Sequence, residues 1–125
     1  MESMFYWCKS LKEISLTSFN TKKLKNMNNM FCGCFYLQAL NLSTFDTSNV
    51  VDKPYLFCGC SSLKGLDLSY FNTSNVINMK SIFSGCSSIK ELKIPNFDTS
   101  KAENMSFMFR DCSNLCELDI KNFNT

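Results

Sequence analysis

Histidine is missing from all 125 residues. Its absence removes the usual general base, the proton shuttle and the commonest metal ligand. A nucleophilic Cys or Ser would therefore have no imidazole to activate it. Long apolar runs are missing as well. The longest is Met4-Phe5-Tyr6-Trp7-Cys8, which excludes a membrane-spanning helix and the apolar segment of a secretory signal. Nor is there an excess of one charge: thirteen Lys+Arg against eleven Asp+Glu leave +2, too balanced for a nucleic-acid or anionic-membrane binder. With 45% hydrophobic and 19% charged residues, the chain can build a core and is no disordered tail.

Cysteine is plentiful, and its placement matters more than its number. Cys8, Cys34, Cys60, Cys86 and Cys112 are each 26 residues apart, which is a repeat column and not a bridging pattern. Units begin at Met4, Met30, Leu56, Ile82 and Met108, and together they read as one domain over residues 1–125, expected to be part of a longer array. Two phenylalanine columns never vary: Phe5, Phe31, Phe57, Phe83, Phe109, and Phe19, Phe45, Phe71, Phe97, Phe123. Three aliphatic columns lie between them, as in Leu63, Leu66 and Leu68 of the third unit.

Leu66-Asp67-Leu68 alternates apolar and polar, the period of a strand. Its recurrence predicts equivalent short strands stacked as one parallel sheet, about 4.8 Å from unit to unit. Val76, Met79, Ile82 and Phe83 fall on one face of a short helix, and Thr73 and Ser74 just before them suit an N-cap. The expected class is thus α/β: five 26-residue coils, each a short parallel strand plus a short convex helix, with the single sheet on the concave face. No coil buries its apolar side alone, so stacking makes the core. A threonine row, Thr21, Thr47, Thr73, Thr99 and Thr125, is expected along one edge, tying down turns. In the second unit Lys53-Pro54 interrupts the helical half, where proline lacks a donor. A distorted or missing helical turn over 51–55 follows.

Leu63-Lys64-Gly65-Leu66-Asp67-Leu68 resembles the leucine-rich repeat. The longer string from Gly59 to Ser69, continued by Phe71-Asn72-Thr73-Ser74-Asn75-Val76 and Asn78-Met79, is similar to BspA-type leucine-rich-repeat surface proteins, including the mycoplasma-lipoprotein-like repeat. The resemblance implies a curved leucine-rich-repeat solenoid used for adhesion or for binding host and matrix proteins, without catalysis or cofactor. It also implies the cell surface, although no signal peptide, anchor or lipid-attachment cysteine is evident in the sequence.

The column cysteines sit in an apolar register and read as small core residues. Cys32 and Cys58 differ: they share a position held elsewhere by Tyr6, Ser84 and Arg110. Each forms a Cys-x-Cys pair, Cys32/Cys34 and Cys58/Cys60. A four-thiolate zinc site, a Cys32–Cys58 bridge in an oxidising compartment and free thiols are the three readings, and free thiols are preferred. No metal site is assigned. The strand's outward positions, among them Glu13, Ser15, Asn41, Asp67, Glu91, Lys93, Glu117 and Asp119, read as a solvated recognition face. Tyr6, Trp7, Phe35 and Tyr36 replace small or polar residues of other units and should meet on one edge, either as a binding hot spot or as a shield for the open end of the stack. The outermost units expose their inner columns, which makes self-association a further expectation. The function expected is a non-enzymatic protein-binding module, with a self-assembling structural segment as the alternative.

Overall fold

In the segment following each unit's Met or Leu start, alternate backbone N–H groups leave their own unit. The computed structural model describes residues 1–124, so Thr125, the last expected member of the threonine row, lies outside the described residues. Phe5 donates to Met30 O, Phe31 to Leu56 O, Phe57 to Ile82 O and Phe83 to Met108 O, all at 2.9–3.0 Å. The N–H groups two residues earlier and two residues later do the same, as in Tyr55 to Lys80 O (2.9 Å) and Gly59 to Ser84 O (2.7 Å). The intervening N–H groups close tight turns inside the unit, such as Cys58 to Tyr55 O and Cys60 to Phe57 O. Successive units therefore lie side by side in register, joined by a ladder of turns.

This arrangement corrects the α/β expectation. Among the described residues there is no helix and there are only two strands, β1 (Gly65–Asp67) and β2 (Glu91–Lys93). The leucine-rich-repeat solenoid of five strand-plus-helix coils does not form. Val76, Met79, Ile82 and Phe83 are all buried, so the apolar pattern is real, but the backbone beneath it is not helical. Two columns of left-handed residues explain why. Ser3, Asn29, Tyr55, Ser81 and Phe107 have φ of 53–58°, and Trp7, Gly33, Gly59, Gly85 and Asp111 have φ of 57–77°. A left-handed residue every fourth position breaks any right-handed helix. The unit-to-unit bonds supply the N–H partners that a helix would have provided.

Pro54 distorts no helix, because none exists there. In the other units the residue at its position donates its N–H to an Asn two residues back: Asn28 to Asn26, Lys80 to Asn78 and Ser106 to Asn104, at 2.8–3.0 Å. Proline forfeits only that side-chain bond, while its carbonyl still accepts from Asn29 N (3.1 Å). Asn26, Asp52, Asn78 and Asn104 pair as isolated parallel bridges along the same line.

The sheet is smaller than expected. β1 and β2 pair in parallel, Leu66 opposite Leu92, and one further bridge joins Glu91 to Glu117. The Glu13–Ser15 and Ala39–Asn41 segments form no strand. A three-residue segment offers so few ladder bonds that slight splay abolishes it, and the neighbouring bond from Lys64 N to Gln38 O is stretched to 3.5 Å.

The invariant columns occupy the interior. Phe5, Phe31, Phe57, Phe83 and Phe109 form a stack with neighbouring centroids 5.3–5.8 Å apart and planes within 12°. Each such ring pair adds about 0.5–1.5 kcal/mol beyond the area it buries. The thiols of Cys34, Cys60, Cys86 and Cys112 donate to Phe5, Phe31, Phe57 and Phe83 carbonyls of the preceding unit at 3.1–3.2 Å. That explains a small residue with a weak donor in this column. Thr21, Thr47, Thr73 and Thr99 are buried and cap no helix. Their hydroxyls tie unit to unit, Thr73 Oγ1 accepting from Asp98 N (2.8 Å) and donating to Asp98 O (2.9 Å).

Candidate functional site

The strand face presents its side chains to solvent because the alternation turns Leu66, Leu68, Leu92 and Ile94 inward. Glu13, Ser15, Asn41, Asp67, Glu91, Lys93, Glu117 and Asp119 are all exposed. The structure gathers five of them around two adjoining hollows. One of about 310 Å³ is lined by Ser69, Glu91, Lys93, Pro95, Glu117 and Asp119 among others. The other, about 260 Å³, is lined by Gly65, Leu66, Asp67, Glu91 and Lys93. Glu13, Ser15 and Asn41 lie on the earlier units and line neither hollow.

Several of these polar groups are already engaged locally. Asn41, Asp67 and Asp119 each accept the N–H two residues on, from Ser43 (3.0 Å), Ser69 (2.9 Å) and Lys121 (3.1 Å). Such bonds are Asx turns, and they end the strand segment. The Ser69 hydroxyl and N–H hold the Asp67 carboxyl below its ordinary value, and Lys121 does so for Asp119. The fourth unit has Pro95 where the donor would be, and there the column carries Lys93. The chemistry of the face is that of a mixed-charge surface. Lys93 pairs with Glu91 at 3.5 Å and Lys121 with Asp119 at 2.8 Å, both exposed.

The aromatic edge is built on the left-handed glycines. Trp7 lies over Gly33, where a Cβ would meet the indole at 3.1 Å, and Phe35 lies over Gly59. Trp7 and Phe35 pack edge to face at 5.4 Å, and Tyr6 meets Trp7 at 6.1 Å. Lys9 sits over the indole at 4.8 Å. Tyr6 and Trp7 remain about half exposed, 51% and 47%. Tyr36, at 58% exposure, stands alongside without joining the ring cluster.

Of the four thiols at Cys32, Cys34, Cys58 and Cys60, the structure joins only two. Cys34 and Cys60 turn into the core toward Phe5 O and Phe31 O, and burial pushes the Cys34 thiol up to about 11. No pocket collects all four, and among the described residues no cluster of three or more His, Cys, Asp or Glu suits a metal ion. Cys32 and Cys58 are half-buried and hold equivalent positions on either side of one unit boundary, between the bonds Phe31 N to Leu56 O and Gly33 N to Cys58 O. The Cys32 thiol and then the Ser84 hydroxyl stabilise a thiolate on Cys58, lowering it to about 7, while that contact raises Cys32.

The sequence marked Lys53 only as part of the Lys53-Pro54 interruption and did not disclose that its ammonium is buried. Lys53 replaces the methionine of other units and is 1% exposed. Its ammonium donates to Asn72 O at 2.7 Å and lies 5.1 Å from the Phe71 ring. Burial pulls it down to about 7. Its only signal in the sequence was a charged residue within an apolar column.

Comparison with known proteins adds a family. The model described as "Mycoplasma protein of unknown function, DUF285" matches residues 34–125. No curated protein and no solved structure matches the chain. No helix of the described residues is long and apolar enough to cross a membrane.

Proposed function

We propose that this chain, which belongs to the DUF285 family, is a non-enzymatic protein-binding module that works by adhesion, as the similarity of its repeat string to BspA-type surface proteins implies. The partner is a folded protein on a host surface or in a matrix. The observation that carries this reading is the aromatic edge. Tyr6, Trp7 and Phe35 form one cluster, with Tyr6 and Trp7 about half exposed, on a backbone fixed by unit-to-unit hydrogen bonds. Rigid, partly exposed aromatics lose little conformational freedom on docking and dominate interface energies. The strand-face hollows lined by Asp67, Glu91, Lys93, Glu117 and Asp119 lie on the third to fifth units and offer a separate polar surface. The test is capture of matrix and host-surface proteins by the immobilised chain and by Trp7→Gly/Phe35→Ser, which installs residues found at those positions in other units. Capture at least tenfold weaker by the variant is expected. Equal capture removes the aromatic edge from the account.

A second reading, a structural segment whose ends stack on one another, has its own observation. The fourth and fifth units present an apolar hollow of about 320 Å³ lined by Met105, Phe107, Met108, Phe109, Arg110 and Phe123, with Phe107 55% exposed. Concentration-dependent oligomers without a heterologous partner would favour it.

A further inference from the structure

The thiols of Cys32 and Cys58 form a cluster that the binding surface does not use. Their residues flank bonds that lock the second unit to the third: Phe31 N to Leu56 O at 3.0 Å and Gly33 N to Cys58 O at 2.8 Å. The rings on their N-terminal side, Phe31 and Phe57, stack 5.8 Å apart. In-register parallel neighbours have Cα atoms about 5 Å apart, inside the window of roughly 4.4–6.8 Å that a disulfide needs. The column thiols lie at similar spacing, yet each is committed to a carbonyl in the core. Cys32 and Cys58 are instead half-buried, donate to no core carbonyl among the described residues, and stand at one register position across this junction. Every other unit has a different residue in this column, Tyr6, Ser84 or Arg110. The pair is therefore confined to one junction.

We propose that Cys32 and Cys58 are a reversible dithiol–disulfide pair that staples the second unit to the third, with a low-molecular-weight disulfide as oxidant. Cys58 is the attacking thiolate, held by the Cys32 S–H and the Ser84 hydroxyl. Its Sγ attacks one sulfur of the small disulfide. The old S–S bond breaks, one small thiolate leaves, and a mixed disulfide forms on Cys58. Cys32 then loses its proton to the departed thiolate and attacks Cys58 Sγ. The protein disulfide forms and the second small thiolate leaves, taking a proton from solvent. Two protein thiols are oxidised, two hydrogens are lost, and one small disulfide becomes two thiols. A thiolate with a pKa close to ambient pH is the best placed to start such an exchange.

The site adjoins the aromatic edge. Trp7, the single tryptophan, donates its backbone N–H to Cys32 O at 2.8 Å and covers Gly33 with its indole, so its fluorescence reports strain at the pair. The experiment uses the full chain carrying Cys116→Ser, which removes the exposed thiol. It is equilibrated with oxidised and reduced glutathione, alkylated and mapped by mass spectrometry, with Trp7 emission followed. A Cys32–Cys58 cross-linked peptide is expected, with loss of two hydrogens from the intact mass, reversal by excess thiol, and a first step that accelerates as pH rises through about 7. In Cys32→Ser the resolving thiol is gone, so glutathione should remain on Cys58. In Cys58→Ser, Cys32 should stay at least tenfold less modified. Ser84 already occupies this column in the fourth unit, so both variants retain a tolerated residue. Stable glutathione on both cysteines of the parent without a cross-link overturns the proposal, as does equal modification of the two serine variants or no reaction at either thiol.

Discussion

The turn side and the strand side of each unit share the same register but hold their neighbours differently. On the turn side, three N–H columns cross every unit boundary at 2.7–3.1 Å, as in Tyr55, Phe57 and Gly59. On the strand side, the bond that recurs at every boundary, from Gln38, Lys64, Lys90 and Cys116 to the preceding unit, spans 3.0–3.5 Å, and among the described residues only one boundary carries a true strand pair. The Phe and Cys columns on the tight side are invariant, and the outward position beginning each strand segment reads Glu13, Ala39, Gly65, Glu91 and Glu117. Inward columns stay apolar on both sides and outward positions vary on both, for the turn-side column reads Tyr6, Cys32, Cys58, Ser84 and Arg110. What differs between the sides is how tightly the backbone beneath them is held.

The sharpest way to break this comparison is to truncate one core residue on each side. Phe57→Ala removes a ring stacked between Phe31 and Phe83 and should cost about 3–5 kcal/mol. Leu66→Ala on β1 should cost about 2–3 kcal/mol, since its neighbours are looser. Urea unfolding measures both. An equal or larger loss at Leu66 would mean that the strand side carries the stability after all.

A smaller effect of opposite sign is expected at Lys53, the place where the tight side breaks its own rule. A lysine lowered from 10.5 to about 7 by burial makes the folded state resist protonation. The sign follows from linkage. Between about pH 7 and 10.5 the unfolded chain binds the proton and the folded chain does not, so this group makes stability rise with pH across that window. Below pH 7 the full penalty applies. Lys53→Met, which installs the residue found at this position in the first, third and fourth units, should therefore stabilise the protein at pH 6–7 by about 2–4 kcal/mol. The gain should shrink toward pH 10.5. Asn72 O, left by the ammonium, still accepts from Thr47 Oγ1 (3.2 Å). The difference between the two pH–stability curves isolates Lys53 from the titrating cysteines, and a flat difference would show that the ammonium is not desolvated.

What the sequence disclosed and what it hid also divide along these sides. Periodicity identified the buried columns, because burial follows from like residues lying over like. It misassigned the backbone beneath Val76, Met79, Ile82 and Phe83, since i, i+3 and i+7 spacing also fits overlapping turns whose alternate N–H groups leave the unit. Gly33, Gly59 and Gly85 in one column carried the missing signal: a left-handed position recurring every 26 residues excludes a helix through it. Trp7 and Asp111 in the same column disguised it. The Asx turns were legible too, for wherever the second residue after the Asn or Asp column is Pro54 or Pro95 the donor is gone, and at Pro95 the column carries Lys93 instead. The shared position of Cys32 and Cys58 could be read from register alone, but their separation from Cys34 and Cys60 depends on which way each thiol turns.

The smallest expected effect lies on the strand face itself. Lys93 and Glu91 are 3.5 Å apart with side chains 53% and 63% exposed, so solvent screens the attraction and holding both chains in one geometry costs entropy. Lys93→Ala should shift the stability from urea unfolding by less than about 0.5 kcal/mol. It should nevertheless change the surface between the two hollows, because Lys93 lines both. The near-neutral outcome matters for the comparison: a side chain that can be removed without loss to the fold is free to serve recognition. A loss above about 1 kcal/mol would instead make the pair structural, and the strand face would then be a second load on the same scaffold rather than the surface it displays.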